Sequence, residues 1–325
     1  MRSVMIMGDT HIHNHQSMGG AYENGINHRC ADILRIIATY IDKYKPDVVF
    51  QLGDFFDNAK PTPAVYYAAM KLLQQTNVEW HIIAGNHDVA SFGAPSAIRP
   101  LAQLPKVHVY EQPTVVRIDG TPWHLLPYCA LDADTAMRKL TSANNYSGIV
   151  LAHYGLGDLS HQGPDYISEH WQDVLGQKYL YCGHEHSCYR RSHKRVNVGS
   201  LCAHSFSEAG FRPGGVIVDM NIVQYIGPVF ETYGDIRRES TGFTSRYVRT
   251  GLSTLDEVKR MKATGRVTDY KISVVRESKQ LASPEAAFNV ASMETVVNKL
   301  IRIDVDSGII SSKEAELLLR ALETV

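Results

Sequence analysis

Cysteine is scarce in this 325-residue sequence, which contains five cysteines, no CxxC pair and an odd total. A disulfide framework or a cysteine-ligated zinc site needs regularly spaced thiols, so both are disfavoured. We interpret Cys30, Cys129, Cys182, Cys188 and Cys202 as reduced structural residues.

Long apolar runs and an excess of one charge are also missing. Residues 1–3 lead directly into a short strand, without a stretch that resembles a signal peptide or a transmembrane helix. The formal net charge is −1, so composition indicates no polyanionic partner, and any nucleic-acid binding must be local. We expect a cytoplasmic protein with no membrane partner.

The sequence does contain five short apolar runs that stop abruptly at residues able to bind metal ions. Continuous Val, Ile and Leu are typical of strands buried on both faces. The residues that follow the runs are Gly8-Asp9-Thr10-His11, Gly53-Asp54, Gly85-Asn86-His87-Asp88, His153 and Gly183-His184-Glu185-His186. Polar residues in these positions collect along one rim of a sheet, where ligands bind in open α/β folds. The preceding glycines predict a sharp turn or a close approach of the backbone.

The segments between these runs complete an α/β pattern. A helical period of apolar residues predicts a helix over His28–Tyr44, and Thr62 followed by Pro63 predicts the start of another that ends near Gln75. Three short strands follow from Val107, two of them joined by the turn Asp119-Gly120, and we expect them to be antiparallel. Helices are also predicted over 131–142, 165–175 and 255–262, and a further strand over 270–275. Two packed sheets accommodate this order of elements.

A change of composition near residue 230 indicates a domain boundary, because the ligand-bearing strand ends stop there. We divide the chain into a main domain over 1–230, a small capping and DNA-contact segment over 231–280, and a helical tail over 281–325. The tail has an apolar face between Pro284 and Ile301 and a capping box that begins at Ser311. Such a face either packs on its own domain or docks onto another chain, and the sequence alone favours neither.

Seven residues at the strand ends offer oxygen or imidazole ligands: Asp9, His11, Asp54, Asn86, His153, His184 and His186. The absence of cysteine from this set argues against structural zinc and favours Mn²⁺, with Mg²⁺ or Fe²⁺ as alternatives. Seven ligands exceed the needs of one ion, so we expect two divalent ions about 4 Å apart that share a carboxylate. Such a pair activates a water and stabilises the leaving oxygen of a phosphoester, which predicts hydrolysis at phosphorus.

Each motif also has an ordinary structural explanation. Asp9 is compatible with a turn cap, His11 with a surface position, and Gly53–Asp57 with a simple turn. GNHD and GHEH are more specific, because a turn favours Asn or Gly but has no use for the His and Asp that follow. The occurrence of all the motifs at strand ends favours a metal site.

Together the motifs GDTH, GDFFD, GNHD, AHYG and GHEH resemble those of the calcineurin-like metallophosphoesterases and, within them, the SbcD-type nuclease subunits. The resemblance covers residues 1–225 and implies a four-layer α/β sandwich of two mixed sheets flanked by helices. It implies that one metal is held by Asp9, His11, Asp54 and His186. The other metal would be held by Asp54, Asn86, His153 and His184, with Asp54 bridging. His87 would contact the scissile phosphate and assist the leaving group, and Asp88 would orient His87.

Some positions distinguish branches of this superfamily. Archaeal and eukaryotic members often have histidine at the position of Asp57, whereas bacterial relatives resemble this chain in having aspartate there. The protein phosphatase branch has an arginine-glycine pair after the second motif and a glutamate that closes the third, whereas this chain has Asn58-Ala59 and Asp88. The compact length resembles that of phage-encoded members.

A basic stretch directly follows the last motif and includes Arg190, Arg191, Lys194 and Arg195. Arg and Lys contacts to phosphates supply most of the sequence-independent affinity for DNA, although a solvated hairpin explains the stretch equally well. By resemblance, SbcD-type subunits dimerise and use a C-terminal helical region to bind an SbcC-type coiled-coil ATPase. The resemblance therefore implies DNA, this ATPase and a homodimer within a heterotetramer as partners.

We therefore predict a two-metal DNA nuclease that acts as an exonuclease on duplex ends and an endonuclease on single strands, in recombination, repair or replication. The alternative is a small-molecule phosphodiesterase or phosphatase of the same superfamily, which needs the metal site but neither the basic stretch nor the tail. A non-catalytic binding subunit is disfavoured because no ligand is missing from the set.

Overall fold

A computed structural model of the chain describes residues 2–15, 21–142, 148–158, 162–175, 179–202, 204, 208, 216–219, 221–223, 230–232, 247–250, 255–264 and 269–272. These residues all lie within one compact unit, Met1–Ser273. The predicted helical tail over 281–325 lies outside the described residues. Among the helices that are described, none is both long enough and apolar enough to cross a bilayer.

The described elements alternate between strands and helices in the first half of the chain. The helices are α1 (His28–Tyr44), α2 (Pro63–Thr76), α3 (Ala133–Ser142), α4 (Glu169–Val174) and α5 (Leu255–Ala263), with a 3₁₀ helix over Arg99–Gln103. The strands are β1 (Val4–Met7), β2 (Tyr22–Glu23), β3 (Ile26–Asn27), β4 (Val48–Gln51), β5 (Glu79–Ile83), β6 (Val107–Tyr110), β7 (Thr114–Ile118), β8 (Thr121–Leu126), β9 (Ile149–Ala152), β10 (Gly155–Leu156), β11 (Tyr166–Ile167), β12 (Tyr179–Cys182), β13 (Tyr189–Ser192), β14 (Arg195–Asn197), β15 (Val216–Val218), β16 (Asn221–Val223), β17 (Phe230–Thr232), β18 (Tyr247–Thr250) and β19 (Asp269–Ile272).

The first large sheet has six strands in the order β16-β15-β1-β4-β5-β6. Strands β1, β4, β5 and β6 are mutually parallel, while β15 pairs with β1, and β16 with β15, in antiparallel fashion. Every residue of β1 and β4 is buried, as expected for parallel strands covered on both faces. One face packs against α1 and α2 through residues that include Ile33, Ile37, Leu72 and Trp80.

The second large sheet has the order β13-β14-β12-β9-β8-β7, with a parallel centre and antiparallel edge strands β7 and β13. A core that includes Phe50, Trp123 and Tyr181 lies between the two sheets. A third core, which includes Met137 and Leu175, lies between the second sheet and its helices. Helices, sheet, sheet and helices thus form four layers, and the predicted α/β sandwich is confirmed.

Local capping explains why the first two helices have the predicted bounds. The Asn27 side chain accepts a hydrogen bond from the Cys30 N–H at the start of α1, and Lys45 ends it with a left-handed φ of 47°. Thr62 accepts from the Val65 N–H, and Pro63 follows as the first residue of α2. The hairpin turn Asp119-Gly120 is also confirmed, because both residues have positive φ, 47° and 80°, as a type I′ turn requires.

Two expectations about secondary structure are wrong. The strand β6 is parallel to β5, in the register His81 to His108, rather than part of an antiparallel group. The helix expected from residue 165 begins only at Glu169, because Tyr166–Ile167 pairs as a strand with Gly155–Leu156. The five cysteines are free thiols, as predicted.

A small three-stranded parallel sheet, β17-β18-β19, accompanies α5 in the later part of the unit. The predicted helix near Leu255 is confirmed, and the strand expected over 270–275 begins one residue earlier, at Asp269. The division into a main domain, capping segment and helical tail stays a prediction.

Candidate metal centre

The seven predicted ligands come together at the carboxyl ends of strands from both large sheets. Asp9 and His11 follow β1, Asp54 follows β4, Asn86 follows β5, His153 follows β9, and His184 and His186 follow β12. Asp54 lies at the centre of the group. Its Oδ2 atom is 3.5 Å from His11 Nε2 and 3.3 Å from His153 Nε2. Asp9 Oδ1 lies 3.4 Å from His153 Nδ1.

Two imidazoles face each other on one side of this group, with 3.0 Å between His11 Nε2 and His186 Nε2. His11 Nδ1 lies 3.1 Å from an oxygen of Asp57, and His186 Nδ1 lies 3.0 Å from an oxygen of Glu208. An ionised carboxylate only accepts hydrogen bonds, so each Nδ1 carries a proton, and in the neutral rings each Nε2 presents a lone pair. Two facing lone pairs repel each other, so a cation belongs between them, either a metal ion or a proton on one of the rings. Adjacent ligands of an octahedral ion with bonds of about 2.1 Å are also about 3 Å apart.

The other side of the group is organised around the Asn86 side-chain oxygen. Asn86 Oδ1 lies 2.9 Å from His153 Nε2 and 3.1 Å from His184 Nδ1. His153 donates its Nδ1 proton to the Leu52 carbonyl at 2.6 Å, which directs Nε2 towards the oxygens of Asn86 and Asp54. Burial disfavours a charged His153, yet the carboxylates of Asp54 and Asp9 raise its pKa to about 9. The surroundings therefore favour positive charge at this position.

Asp9 gives a second sign that a cation belongs here. Its side chain is fully buried, and Oδ1 accepts a hydrogen bond from the His184 backbone N–H at 3.2 Å. Its Oδ2 is also buried but has no hydrogen-bond partner among the described residues. A buried carboxylate oxygen without a donor is costly unless a cation satisfies it. The donor set thus fits divalent ions.

The backbone is strained at three of the predicted ligands. His11, Asp54 and His184 have positive φ angles of 41°, 49° and 76°, a region that residues other than glycine rarely adopt. Each such residue costs on the order of 1–3 kcal/mol and is typical of functional sites. The fold therefore holds these three residues in a backbone conformation that non-glycine residues disfavour.

Two glycines allow the loops to approach closely, as the sequence predicts. A Cβ atom at Gly85 would lie 2.1 Å from both the N and the Oδ1 of Asp54. A Cβ atom at Gly53 would lie 2.3 Å from His153 Nδ1, and Gly53 has a φ of 91°. Any larger residue at these positions displaces a predicted ligand.

His87 lies exposed beside the group, with its ring centroid 4.7 Å from that of His11. Its backbone N–H donates to Asp54 Oδ1 at 2.8 Å, and its Nδ1 donates to the Asp57 carbonyl at 2.6 Å. Because a carbonyl oxygen only accepts, Nδ1 holds a proton, and Nε2 is the nitrogen left for substrate.

Asp88 does not orient the His87 ring as the sequence-based interpretation expected. Its buried carboxylate accepts hydrogen bonds from the backbone N–H groups of Phe55, Phe56 and Gly85, at 3.2, 3.0 and 2.9 Å. Burial and the Asp54 charge raise the pKa of Asp88 to about 7 against these hydrogen bonds. Asp88 is a positioning residue for the loop that carries Asp54, and the Asp57 carbonyl orients His87.

Sequence reasoning missed several residues that support the group. Glu208 holds His186, and its other oxygen accepts from the His204 N–H at 2.7 Å. Gln51 binds both the N–H and the carbonyl of Gly53, at 3.1 and 2.7 Å. Asp57 lies within a noted motif, so its part was detectable, but nothing in the local sequence marks Glu208 or Gln51.

The basic stretch forms the hairpin between β13 and β14. Arg190 and Arg191 are exposed, and Arg191 donates to Asp158 at 2.6 Å and to the Leu156 carbonyl at 2.7 Å. Lys194 is half-buried, with its Nζ 5.6 Å from the ring centroid of Tyr179. Arg195 is only 7% exposed and donates to the Gln172 carbonyl at 2.6 Å. The expected DNA contact from Arg195 is therefore corrected, because its guanidinium is committed inside the protein.

Comparison with known proteins shows that part of the chain is similar to a DNA repair protein. The chain is 28% identical over 194 residues to the DNA double-strand break repair protein Mre11 of Methanocaldococcus jannaschii, covering 56% of this chain and 50% of that protein. The chain thus spans about half the length of this relative.

Solved structures to which parts of this chain are similar include the calcineurin-like phosphoesterase YfkN of Bacillus subtilis (11% identity, 69% of this chain and 87% of that chain covered, TM-score 0.40). They also include the Pseudomonas putida nuclease MPE (15% identity, 59% and 66% covered, TM-score 0.30). Residues 2–188, more than half of the sequence, match the family described as calcineurin-like phosphoesterase. This chain belongs to the calcineurin-like phosphoesterase family.

Proposed function

We propose that the protein is a two-metal-dependent DNA nuclease, cleaving duplex DNA from its ends and single strands internally. The hydrolytic part is carried by the facing Nε2 atoms of His11 and His186, 3.0 Å apart, together with the buried, unsatisfied Oδ2 of Asp9. Asp9, His11, Asp54 and His186 would hold one ion, and Asp54, Asn86, His153 and His184 the other. Two such ions, Mn²⁺ in our proposal and Mg²⁺ or Fe²⁺ as alternatives, supply an activated water and neutralise charge on the phosphate.

The residues of the chain itself position the substrate and the proton. His87 is exposed and has its Nδ1 proton fixed on the Asp57 carbonyl. Its Nε2 is therefore aimed by a backbone contact, and in the cationic ring, where Nε2 also carries a proton, it can deliver that proton to the departing sugar oxygen and leave a neutral imidazole. The Asp57 loop that orients His87 is in turn held by two hydrogen bonds, from the backbone N–H groups of Phe55 and Phe56 to Asp88. This chain of contacts supports His87 as the catalytic acid.

The DNA substrate is supported by two observations. The relative from Methanocaldococcus jannaschii carries the name of a DNA double-strand break repair protein. The hairpin after the GHEH motif presents Arg190 and Arg191 at the surface, with Lys194 half-buried between its strands. We propose that these three residues contact phosphates, which makes binding sequence-independent and strongly salt-dependent.

We also propose that the protein acts in the cytoplasm as the nuclease subunit of an SbcC/SbcD-type complex in recombination, repair or replication. In this proposal the helical tail over 281–325 binds the coiled-coil ATPase, and two nuclease subunits form a homodimer within a heterotetramer. The apolar helical spacing in the tail sequence supports a docking role. Deletion of 281–325 is expected to abolish co-purification with the ATPase and to leave Mn²⁺-dependent cleavage of single strands intact. Unchanged co-purification would contradict the assignment.

The first experiment is cleavage of end-labelled linear duplex and circular single-stranded DNA with Mn²⁺, with and without an SbcC-type ATPase and ATP. Wild type and His87→Ala are compared, with His170→Ala as an exposed histidine control. Cleavage by wild type and by His170→Ala, but not by His87→Ala, supports the nuclease activity. Hydrolysis of bis(p-nitrophenyl) phosphate without any DNA cleavage would support the small-molecule phosphodiesterase instead.

A further inference from the structure

A second group of potential metal ligands lies at the other end of β5, far along the strand from Asn86. Glu79 and His81 belong to β5, and His108 is the residue paired with His81 on the edge strand β6. One ligand atom from each of the three residues lies within 4.8 Å of the others. None of these residues takes part in the proposed catalytic centre.

The geometry of the group is close to that of a metal site. His81 Nε2 lies 3.0 Å and His108 Nε2 lies 3.6 Å from the same oxygen, Glu79 Oε1. The two rings are stacked, with centroids 4.8 Å apart and planes 26° apart. Ligands of a tetrahedral zinc ion with bonds of about 2.0–2.1 Å are separated by about 3.3 Å. The distances of 3.0 and 3.6 Å to Glu79 Oε1 are therefore close to those between ligands of one ion.

The outer contacts of the group are those expected around metal ligands. Glu79 Oε2 is bound by the Arg2 guanidinium, which leaves Oε1 directed at the histidines. His81 Nδ1 lies 2.8 Å from the Tyr110 hydroxyl, which can accept a hydrogen bond from Nδ1–H when Nε2 binds a metal. Hydrogen-bond partners of the atoms that do not bind the metal fix the orientation of ligating carboxylates and imidazoles. His108 is exposed on the edge strand, so an ion can enter from solvent.

The protonation states of the buried ligands also suit metal binding. Burial lowers the pKa of His81 to about 4. The pKa of Glu79 is lowered by hydrogen bonds from Arg2 and His81, although burial opposes this shift. At neutral pH, His81 is thus neutral and Glu79 is ionised, the forms that bind metal ions.

We propose that Glu79, His81 and His108 form a zinc site that links the edge strand β6 to β5. This site is separate from the two-metal centre. Two imidazoles and one carboxylate are a donor set that zinc prefers, and three protein ligands leave a fourth position for water. In the alternative, the same contacts are a hydrogen-bond network in which His81 Nε2–H donates to Glu79. Zinc binding distinguishes the two.

The test is zinc binding to the full chain that has first been saturated with Mn²⁺. Bound zinc per chain is measured by mass spectrometry of the metals after gel filtration, and Co²⁺ is used as a visible-absorption probe of tetrahedral geometry. The variant is His108→Ala, whose exposed edge position leaves the fold intact, and His170→Ala is the matched control. Glu79→Gln is a second variant that keeps the side-chain volume.

Wild type and His170→Ala are expected to bind one zinc ion more than His108→Ala and Glu79→Gln. Zinc is expected to raise the melting temperature more in the first two proteins than in the two site variants. Tyr110→Phe is expected to weaken zinc binding by about 10- to 100-fold, as loss of a second partner does. Mn²⁺-dependent hydrolysis is expected to be equal in wild type and His108→Ala, so the result is independent of the proposed function. Equal zinc content in wild type and both site variants would overturn the proposal.

Discussion

His11 and His186 face each other through Nε2 atoms 3.0 Å apart, and each donates its Nδ1 proton to a carboxylate. The carboxylates are Asp57 and Glu208, neither of which belongs to the predicted ligand set. Carboxylates in this position fix the tautomer and the ring orientation of a ligating imidazole. The predicted first metal position is therefore set by an outer pair of acids as much as by its ligands.

Glu208→Gln is expected to weaken Mn²⁺ binding by about 10- to 100-fold, because the His186 tautomer is no longer enforced. The hydrolysis rate should recover at saturating Mn²⁺, since Glu208 is a positioning residue. The measurement is activity as a function of Mn²⁺ concentration, and Glu169→Gln, an exposed change on α4, is the control. An unchanged Mn²⁺ dependence would contradict the role given to Glu208.

His87→Ala is expected to lower kcat by about 10²- to 10⁴-fold, the usual contribution of a general acid. The number of bound Mn²⁺ ions should stay the same, because the seven proposed ligands remain. Metal content has to be measured with the rate, since an atom of His87 lies within 4.8 Å of ligand atoms of His11 and Asp54. Loss of a metal ion in step with activity would make His87 a ligand instead.

Asp88→Ala is expected to lower the free energy of unfolding by about 3–5 kcal/mol, because three buried backbone N–H groups lose their acceptor. The variant should also bind Mn²⁺ more weakly, since the loop carrying Asp54 is no longer held. Urea unfolding of the metal-free proteins measures the first effect. Asp173→Ala, an exposed change, should stay within about 0.5 kcal/mol of wild type. A similarly small effect at Asp88 would contradict the assigned contacts.

Gly85→Ala is expected to abolish Mn²⁺ binding, because the new methyl group would lie 2.1 Å from Asp54 Oδ1. Gly93→Ala is a control for the added methyl group, since a Cβ at Gly93 meets no atom within 4 Å, although the φ of Gly93 is positive, 89°, and that of Gly85 is not. Gly93→Ala should cost about 1 kcal/mol of stability through backbone strain alone and should keep its metal ions. Calorimetric titration with Mn²⁺ compares the two variants. Full binding by Gly85→Ala would show that the loops can separate.

Acid should destabilise the metal-free protein partly through His81. Burial lowers the pKa of His81 from 6.5 to about 4 in the folded chain, so the unfolded chain binds this proton more tightly. The contribution of neutral His81 to the free energy of unfolding is fully present above pH 6.5. It is lost as the pH falls towards 4, and the loss amounts to at most about 3 kcal/mol. His81→Asn should flatten the dependence of the unfolding free energy on pH in this window, measured with EDTA present. An unchanged slope would contradict the lowered pKa.

Much of the fold could be predicted because its signals are local. The bounds of α1 and α2 follow from caps adjacent to them in sequence, such as Thr62 and Pro63. The group of seven side chains was predictable because each follows directly after a buried strand. The direction of β6 was not, since its residues read the same whether the strand pairs parallel or antiparallel.

The supporting contacts could not be predicted because they depend on tertiary structure. Glu208 lies 22 residues after His186, and no spacing rule links a carboxylate to a histidine at that distance. Arg195 looks like one more member of a charged hairpin, but the short strand β14 turns it inward to the Gln172 carbonyl. Asp88 follows His87 in sequence, yet two of its three partners are the backbone N–H groups of Phe55 and Phe56 in another loop.

The division of the predicted ligands between two sheets has a consequence for protein synthesis. Asp9, Asp54 and Asn86 leave the ribosome early, whereas His153, His184 and His186 follow strands of the second sheet. A nascent chain whose His186 has not yet left the ribosome lacks a complete set of metal ligands, whatever the metal concentration around it. On the proposed assignment, the order of translation itself keeps the growing chain from cutting nucleic acid until both sheets have met.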